Sequence, residues 1–374
     1  MQRKEIKSPN SKLSALDLSV FICVHLWLIS SFALSSFAQS GRNKPPETAM
    51  PTSPRPSVVY IPTQTKSGTP KPTPAPTPTP KVDDDEDGII RVDSNLVPIP
   101  VSVLDASGRT VTNLKLENFQ LLVDGKAAEI SEVSRSETPV RLALLFDNSS
   151  SVTQAREFEK KAAIRFFRRV LRPEQDLAAL YSVATGSRLE QPLTKNSDLL
   201  VQAIENFPIP QGATALLDAI IKAADYLSES QGRRVIVIVS DGEDTISDAT
   251  FEETVKAVQA MNCQVYVVKT TEFENYKKTG LRGGNANIRA LAAERRMQEI
   301  AAQTGGAVHS PIDEKELDAA FNQISAELSQ QYILSYYPEN ETEKRGEFRT
   351  ISLKVKGREN LIARTRKGYY VPKR

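Results

Sequence analysis

Leu142-Ala143-Leu144-Leu145-Phe146-Asp147-Asn148-Ser149-Ser150-Ser151 decides how this chain folds, because an unbroken apolar run gives way at once to a carboxylate, an amide and three hydroxyls. A run this short and this apolar reads as a strand covered on both faces. Counting it as Arg141 to Phe146, further strand candidates stand at Asp176 to Ser182, Arg233 to Val239 and Gln264 to Lys269, and helical periodicity falls near 153–170, 214–229, 250–261, 288–303 and 314–328. Strands alternating with helices of this length imply α/β architecture, a mostly parallel sheet with helices on both faces. Ligands of such sheets gather at the carboxyl ends of the strands. Two other fragments fall at that end: Gly212-Ala213-Thr214 ahead of a helix, and Ser240-Asp241-Gly242 closing a strand. Together the three fragments offer two carboxylates (Asp147, Asp241) and three hydroxyls (Ser149, Ser151, Thr214), a set suited to a hard cation. Singly, each has an ordinary structural reading: Ser151 and Thr214 suit helix caps, and Asp241-Gly242 suits a turn. Their order and shared placement point to one metal centre.

Outside this region the pattern changes. Residues 89–136 carry short alternating runs, Leu96 to Val103, Phe119 to Val123 and Ala128 to Val133, punctuated by Asp105-Ala106-Ser107-Gly108 and Asp124-Gly125. Such punctuation signals antiparallel β structure. Residues 330–374 supply similar runs, Gln331 to Tyr337, Phe348 to Val355 and Leu361 to Thr365, with Lys344-Arg345-Gly346 at a turn. Neither flank has enough strands to stand alone. The expectation is that both pair into one β domain interrupted by the α/β domain at 137–329.

Residues 1–38 read as a signal peptide: Arg3, Lys4, Lys7 and Lys12 precede an apolar run from Leu18 to Leu34, and Ser36-Phe37-Ala38 suits cleavage. Left uncleaved, it would be a membrane anchor. Residues 39–88 follow as a linker whose alternating prolines at 69–80 favour extended polyproline II, a spacer that buries no core. At its end, Asp83, Asp85, Asp87 and Gly88 reproduce half of an EF-hand loop, but Ser94 stands where the bidentate glutamate belongs. A solvated acidic stretch is the better reading.

The formal net charge of +2 implies no nucleic acid and no acidic membrane as partner. Loss of Cys23 with the signal leaves Cys263 without an internal disulfide partner, so it reads as a small buried strand residue. His309, on the run Ala307 to Ser310, would be the one histidine of the mature chain, and no Gly-x-Ser-x-Gly elbow accompanies Ser149. The proposed ligands also lack the His set of hydrolytic metal centres. The reading is therefore not an enzyme.

The apolar strand running into Asp-x-Ser-x-Ser, the Gly-x-Thr loop and the later strand ending in aspartate resemble the von Willebrand factor type A (VWA) domain with its metal-ion-dependent adhesion site. The resemblance implies that Ser149 and Ser151 touch one Mg²⁺ (or Mn²⁺ or Ca²⁺) directly, Thr214 directly or through water, and Asp147 and Asp241 largely through water. Asn148 stands where glycine is common. Asn148, Glu243 and Asp244 are candidate outer groups of the site. A partner protein's Asp or Glu then completes the metal shell, with no small-molecule cofactor. Arg91-Val92-Asp93-Ser94-Asn95-Leu96-Val97, Glu117-Asn118-Phe119 with Asp124-Gly125, Tyr332 to Pro338 and Arg366 to Pro372 further resemble a bacterial family of exported VWA-related proteins. The resemblance extends over residues 90–372. The expected function is a metal-dependent, adhesion-type binding module exported to the periplasm, cell surface or medium; the alternative is a structural envelope protein whose metal only stabilises the fold. Glu272 to Asn287 reads as a flexible insertion or specificity loop.

Overall fold

The computed structural model describes residues 96–371, apart from 136, 154, 173, 284–287 and 339–344. The signal segment, the proline-rich spacer and the acidic stretch 83–88 lie outside the described residues.

The apolar run becomes β5 (Val140–Asp147), whose neighbours in a six-stranded sheet are β6 (Leu177–Val183) and β8 (Arg233–Ser240), both parallel to it. The sheet is completed by β9 (Cys263–Lys269), the short β10 (Val308–His309) and the antiparallel edge strand β7 (Ser187–Thr194), in the order β10-β9-β8-β5-β6-β7. Alternate residues of β5 enter two different cores. Leu142, Leu144 and Phe146 pack against α1 (Arg156–Val170), α2 (Ser197–Glu205) and α7 (Glu314–Gln330), with Phe273 of α5 (Thr271–Thr279). Ala143 and Leu145 pack against α3 (Leu216–Ser228), α4 (Phe251–Ala260) and α6 (Ile288–Thr304). Burial on both faces explains why the strand sequences are apolar throughout instead of alternating.

Two antiparallel sheets accompany this layer structure. One has the order β13-β1-β11-β4, built from β1 (Val97–Leu104), β4 (Glu132–Arg135), β11 (Tyr332–Tyr336) and β13 (Ile362–Thr365); the other is β14-β12-β2-β3, from β2 (Phe119–Val123), β3 (Lys126–Ala128), β12 (Phe348–Val355) and β14 (Gly368–Tyr370). Each sheet mixes strands from both ends of the described chain. Their apolar faces share one core of Ile99, Val101, Leu121, Leu334, Ile351 and Tyr369. Buried polar groups join these sheets to the α/β layer: Gln331 Nε2 donates to Ser102 Oγ at 3.0 Å, and Arg233 Nη1 donates to Gln331 Oε1 at 2.6 Å. Glu327, fully buried, pairs with Arg364 and accepts from Tyr266 Oη at 3.2 Å.

Three local expectations need correction. The run Ala128 to Val133 is divided between β3 and β4, which belong to different sheets. The segment starting at Glu272 is not simply a loop, since Thr271–Thr279 forms α5 and closes on Gly280 with left-handed backbone. The first helix begins at Arg156 rather than 153, after a short 3-10 turn at Ser150–Val152.

Candidate metal centre

β5 delivers Asp147 to the carboxyl edge of the sheet, where the carboxylate is 1% exposed. Its Oδ1 accepts the Ser149 N–H at 2.9 Å and its Oδ2 accepts the Ser240 hydroxyl at 2.6 Å. The second bond joins the end of β5 to the end of β8, immediately before Asp241. Asp241 Oδ1 in turn accepts the Glu243 N–H at 2.9 Å, and the Ser240 Oγ accepts the Gly242 N–H at 3.0 Å. The Gly212 loop is tied in by Ser150, whose N–H and hydroxyl both donate to the Gly212 carbonyl, at 3.2 and 2.9 Å. Thr245 fixes Thr214, accepting its N–H at 2.9 Å while donating its own N–H to the Thr214 carbonyl at 2.9 Å. Three loops distant in sequence thus form one connected surface.

Glycine is required twice here. Gly212 has φ +84° and a side chain on it would lie 2.4 Å from Thr185 Oγ1; Gly242 has φ +83° and faces Met297 of α6. Left-handed backbone is costly for residues with a Cβ.

The hydroxyls are not spent on helix capping. The cap of α1 is Ala155 and that of α3 is Ala215, neither with a side-chain capping bond. The Ser149 and Ser151 oxygens instead face each other at 2.9 Å. Ser149 and Thr214 are buried and Ser151 is exposed.

Carboxyl groups are concentrated here, with Arg156 acting on Glu159 and Lys278 on Glu274. Burial, then the Asp241 charge, push the Asp147 carboxyl up to about 6 despite the bonds from Ser240 and Ser149. Beneath it lies Glu159 of α1, 0% exposed, with neither carboxyl oxygen hydrogen-bonded among the described residues. Burial, then the Asp147 charge, holds Glu159 well above the usual carboxylate range; Thr270 opposes this, and the charges of Glu274 and Asp241 add less. A cation relieves this repulsion, and the residues present fit one. Among the described residues no group of three or more His, Cys, Asp or Glu side chains gathers as a metal site. The candidate donors would be the Asp147 and Asp241 carboxylates with the Ser149, Ser151 and Thr214 hydroxyls, hard oxygens of the kind that suit Mg²⁺.

The outer candidates separate. Glu243 stays at the centre through its N–H. Asn148 turns its side chain away, its Oδ1 accepting from Arg156. Asp244 caps α3, accepting the Leu216 and Leu217 N–H groups at 2.8 and 3.2 Å and the Ser247 hydroxyl at 2.5 Å. Glu159 went unnoticed in the sequence because its neighbours are polar on one side only; its place on the apolar stripe of α1 beside Phe158, Ala162 and Ala163 is the signal that could have found it. His309 sits on β10, three strands from β5, roughly 14 Å away at ordinary strand spacing. Burial, with the Arg364 charge, lowers it to about 4.

The open, mostly parallel sheet with helices on both faces is an α/β layer of the VWA fold type. Residues 142–243 match the family model for the von Willebrand factor type A domain. A search of curated proteins returns no match. Solved structures similar to the chain include a variant of the PilB minor pilin from Streptococcus sanguinis (11% identity, TM-score 0.41, covering 52% of this chain and 62% of that one). BatB from Bacteroides thetaiotaomicron is similar at 20% identity and TM-score 0.40, covering 50% of this chain and 98% of that one. The pilus adhesin SpaC from Lactobacillus rhamnosus GG is similar at 9% identity and TM-score 0.42, covering 62% and 34%. The chain spans less than two thirds of the PilB structure. Among the described residues no helix is long and apolar enough to cross a membrane.

Proposed function

We propose that the chain is an exported, divalent-metal-dependent protein-binding module in which Asp147, Ser149, Ser151, Thr214 and Asp241 hold one Mg²⁺ (or Mn²⁺ or Ca²⁺). The observation that carries this reading is the meeting of the Ser149 and Ser151 hydroxyls at 2.9 Å beside a buried Asp147 whose charge Asp241 opposes. A divalent ion held by these residues would supply the attraction for a partner's Asp or Glu. The residues of the chain supply the rest. Asp147, oriented by Ser149 N–H and Ser240 Oγ, keeps negative charge behind the centre. Ser149, Ser151 and Thr214 contribute neutral oxygens, so a divalent ion keeps enough charge to attract a carboxylate. Binding, not catalysis, suits a site whose serines partner each other while the histidine stands three strands away.

Export rests on the basic and apolar pattern of residues 1–38. The test is a titration of Mg²⁺ into wild type and Asp147→Ala, with a pull-down from envelope extract in Mg²⁺ and in EDTA. Wild type takes up one ion and captures its partner in Mg²⁺ but not in EDTA, whereas Asp147→Ala takes up no ion and captures no partner in either. Retention of the partner in EDTA sinks the reading. Chelation that lowers the melting temperature but leaves partner affinity unchanged supports a purely structural metal instead.

A further inference from the structure

We infer that Ile209 and Ile246 form an apolar rim beside the metal centre, and that the partner presents a carboxylate next to a bulky apolar side chain. This rests on the metal-dependent reading above and adds the residue that must neighbour the acid. Ile209 is 82% exposed and Ile246 43% exposed, and neither belongs to any of the hydrophobic cores. Isolated surface isoleucines are commonplace. What distinguishes this pair is that Ile209 lies on the loop that carries Thr214, which is fastened to Asn148, and that Ile246 is bonded to Thr214 itself.

Ile209 stands between Pro208 and Pro210, which restricts both its neighbours and its own backbone. Arg156 clamps the approach: its Nη2 donates to the carbonyls of Phe207, at 3.0 Å, and Pro208, and its Nη1 donates to Asn148 Oδ1. On the far side of Ile209, the Gln211 N–H donates to the Asn148 carbonyl at 3.0 Å. Both ends of the Pro-Ile-Pro segment are thus fastened to the residue that follows Asp147. The second isoleucine is tied to the same loop by one longer bond, the Ile246 N–H donating to the Thr214 carbonyl at 3.3 Å.

A buried guanidinium and two prolines hold an exposed isoleucine in place while adding nothing to the core through it. Preorganised apolar groups lose little freedom on binding, and apolar contacts around a charged centre exclude water from it. The occupant that uses both features is a protein segment with Asp or Glu beside Leu, Ile, Val or Phe. A phosphate-bearing ligand could meet the same ion but would leave both isoleucines in water.

The test pans a random-peptide phage library on the full chain in Mg²⁺ and elutes with EDTA, with Asp147→Ala as the metal-site control. Eluted peptides carry Asp or Glu with an apolar residue within two positions. A synthetic consensus peptide binds Ile209→Ser/Ile246→Ser at least ten-fold more weakly than wild type. Replacing the peptide's apolar residue by Ser costs wild type a similar factor and the double variant little. A consensus with the acid but no apolar preference, or equal binding by the double variant, overturns the inference and leaves the metal reading standing. Absence of any EDTA-eluted acidic consensus from wild type overturns both. Both isoleucines are exposed, so a thermal melt matching wild type certifies the fold of the variant.

Discussion

Asp147 and Glu159 keep two carboxyl groups out of water on adjoining elements, and each holds its proton more tightly folded than unfolded. For such a group the folded state is the better proton binder, so its contribution to stability is greatest below its unfolded pKa and is lost as pH rises through its folded value. For Asp147 the window runs from 3.8 to about 6, a difference corresponding to about 3 kcal/mol. In EDTA, urea unfolding of wild type is therefore expected to lose stability relative to Asp147→Asn between pH 4 and 6, with the two curves parallel above that. A wild-type curve parallel to that of Asp147→Asn throughout contradicts the coupling. The five candidates were selected from the sequence as carboxylates and hydroxyls at strand ends and ahead of a helix, and their joint role as ligands is the proposal made above. The different directions taken by Asn148 and Asp244 were not legible, because they depend on Arg156 and on the first turn of α3, which only tertiary structure brings near.

Helix α3 starts without help from its own cap residue, and Asp244, contributed by the loop after β8, satisfies two of its first N–H groups. Capping carboxylates are worth about 1–2 kcal/mol, so Asp244→Ala is expected to lower the urea midpoint by a corresponding amount while one Mg²⁺ still binds. A variant that loses metal but not stability would instead return Asp244 to the centre. The central strands were readable as elements because burial on both faces makes them uniformly apolar. The edge strand β7, Ser-Arg-Leu-Glu-Gln-Pro-Leu-Thr, was missed for the opposite reason: an edge carries solvent-facing polar residues and tolerates Pro192, and its pairing with β6 is broken by register shifts. The helices α2 and α5 are nine residues each, too short for periodicity to separate them from loops.

Across the whole described chain, strands from opposite ends complete each other's sheets. β1 lies between β11 and β13, with Val97–Val101 opposite Tyr332–Tyr336 and Val101–Leu104 opposite Ile362–Thr365. A chain ended at Gln330 leaves β1 without either neighbour and β2 without β12, and it is expected to lose cooperative thermal unfolding in circular dichroism. A sharp transition in that truncated chain would show that the α/β layer folds by itself. The interior position of β1 also has a mechanical consequence. Tension applied to the residues before Val97 acts along the strand, so it must shear two hydrogen-bonded ladders together instead of peeling one bond after another. Were the chain held from its N-terminal side and pulled elsewhere, that load would pass through β1.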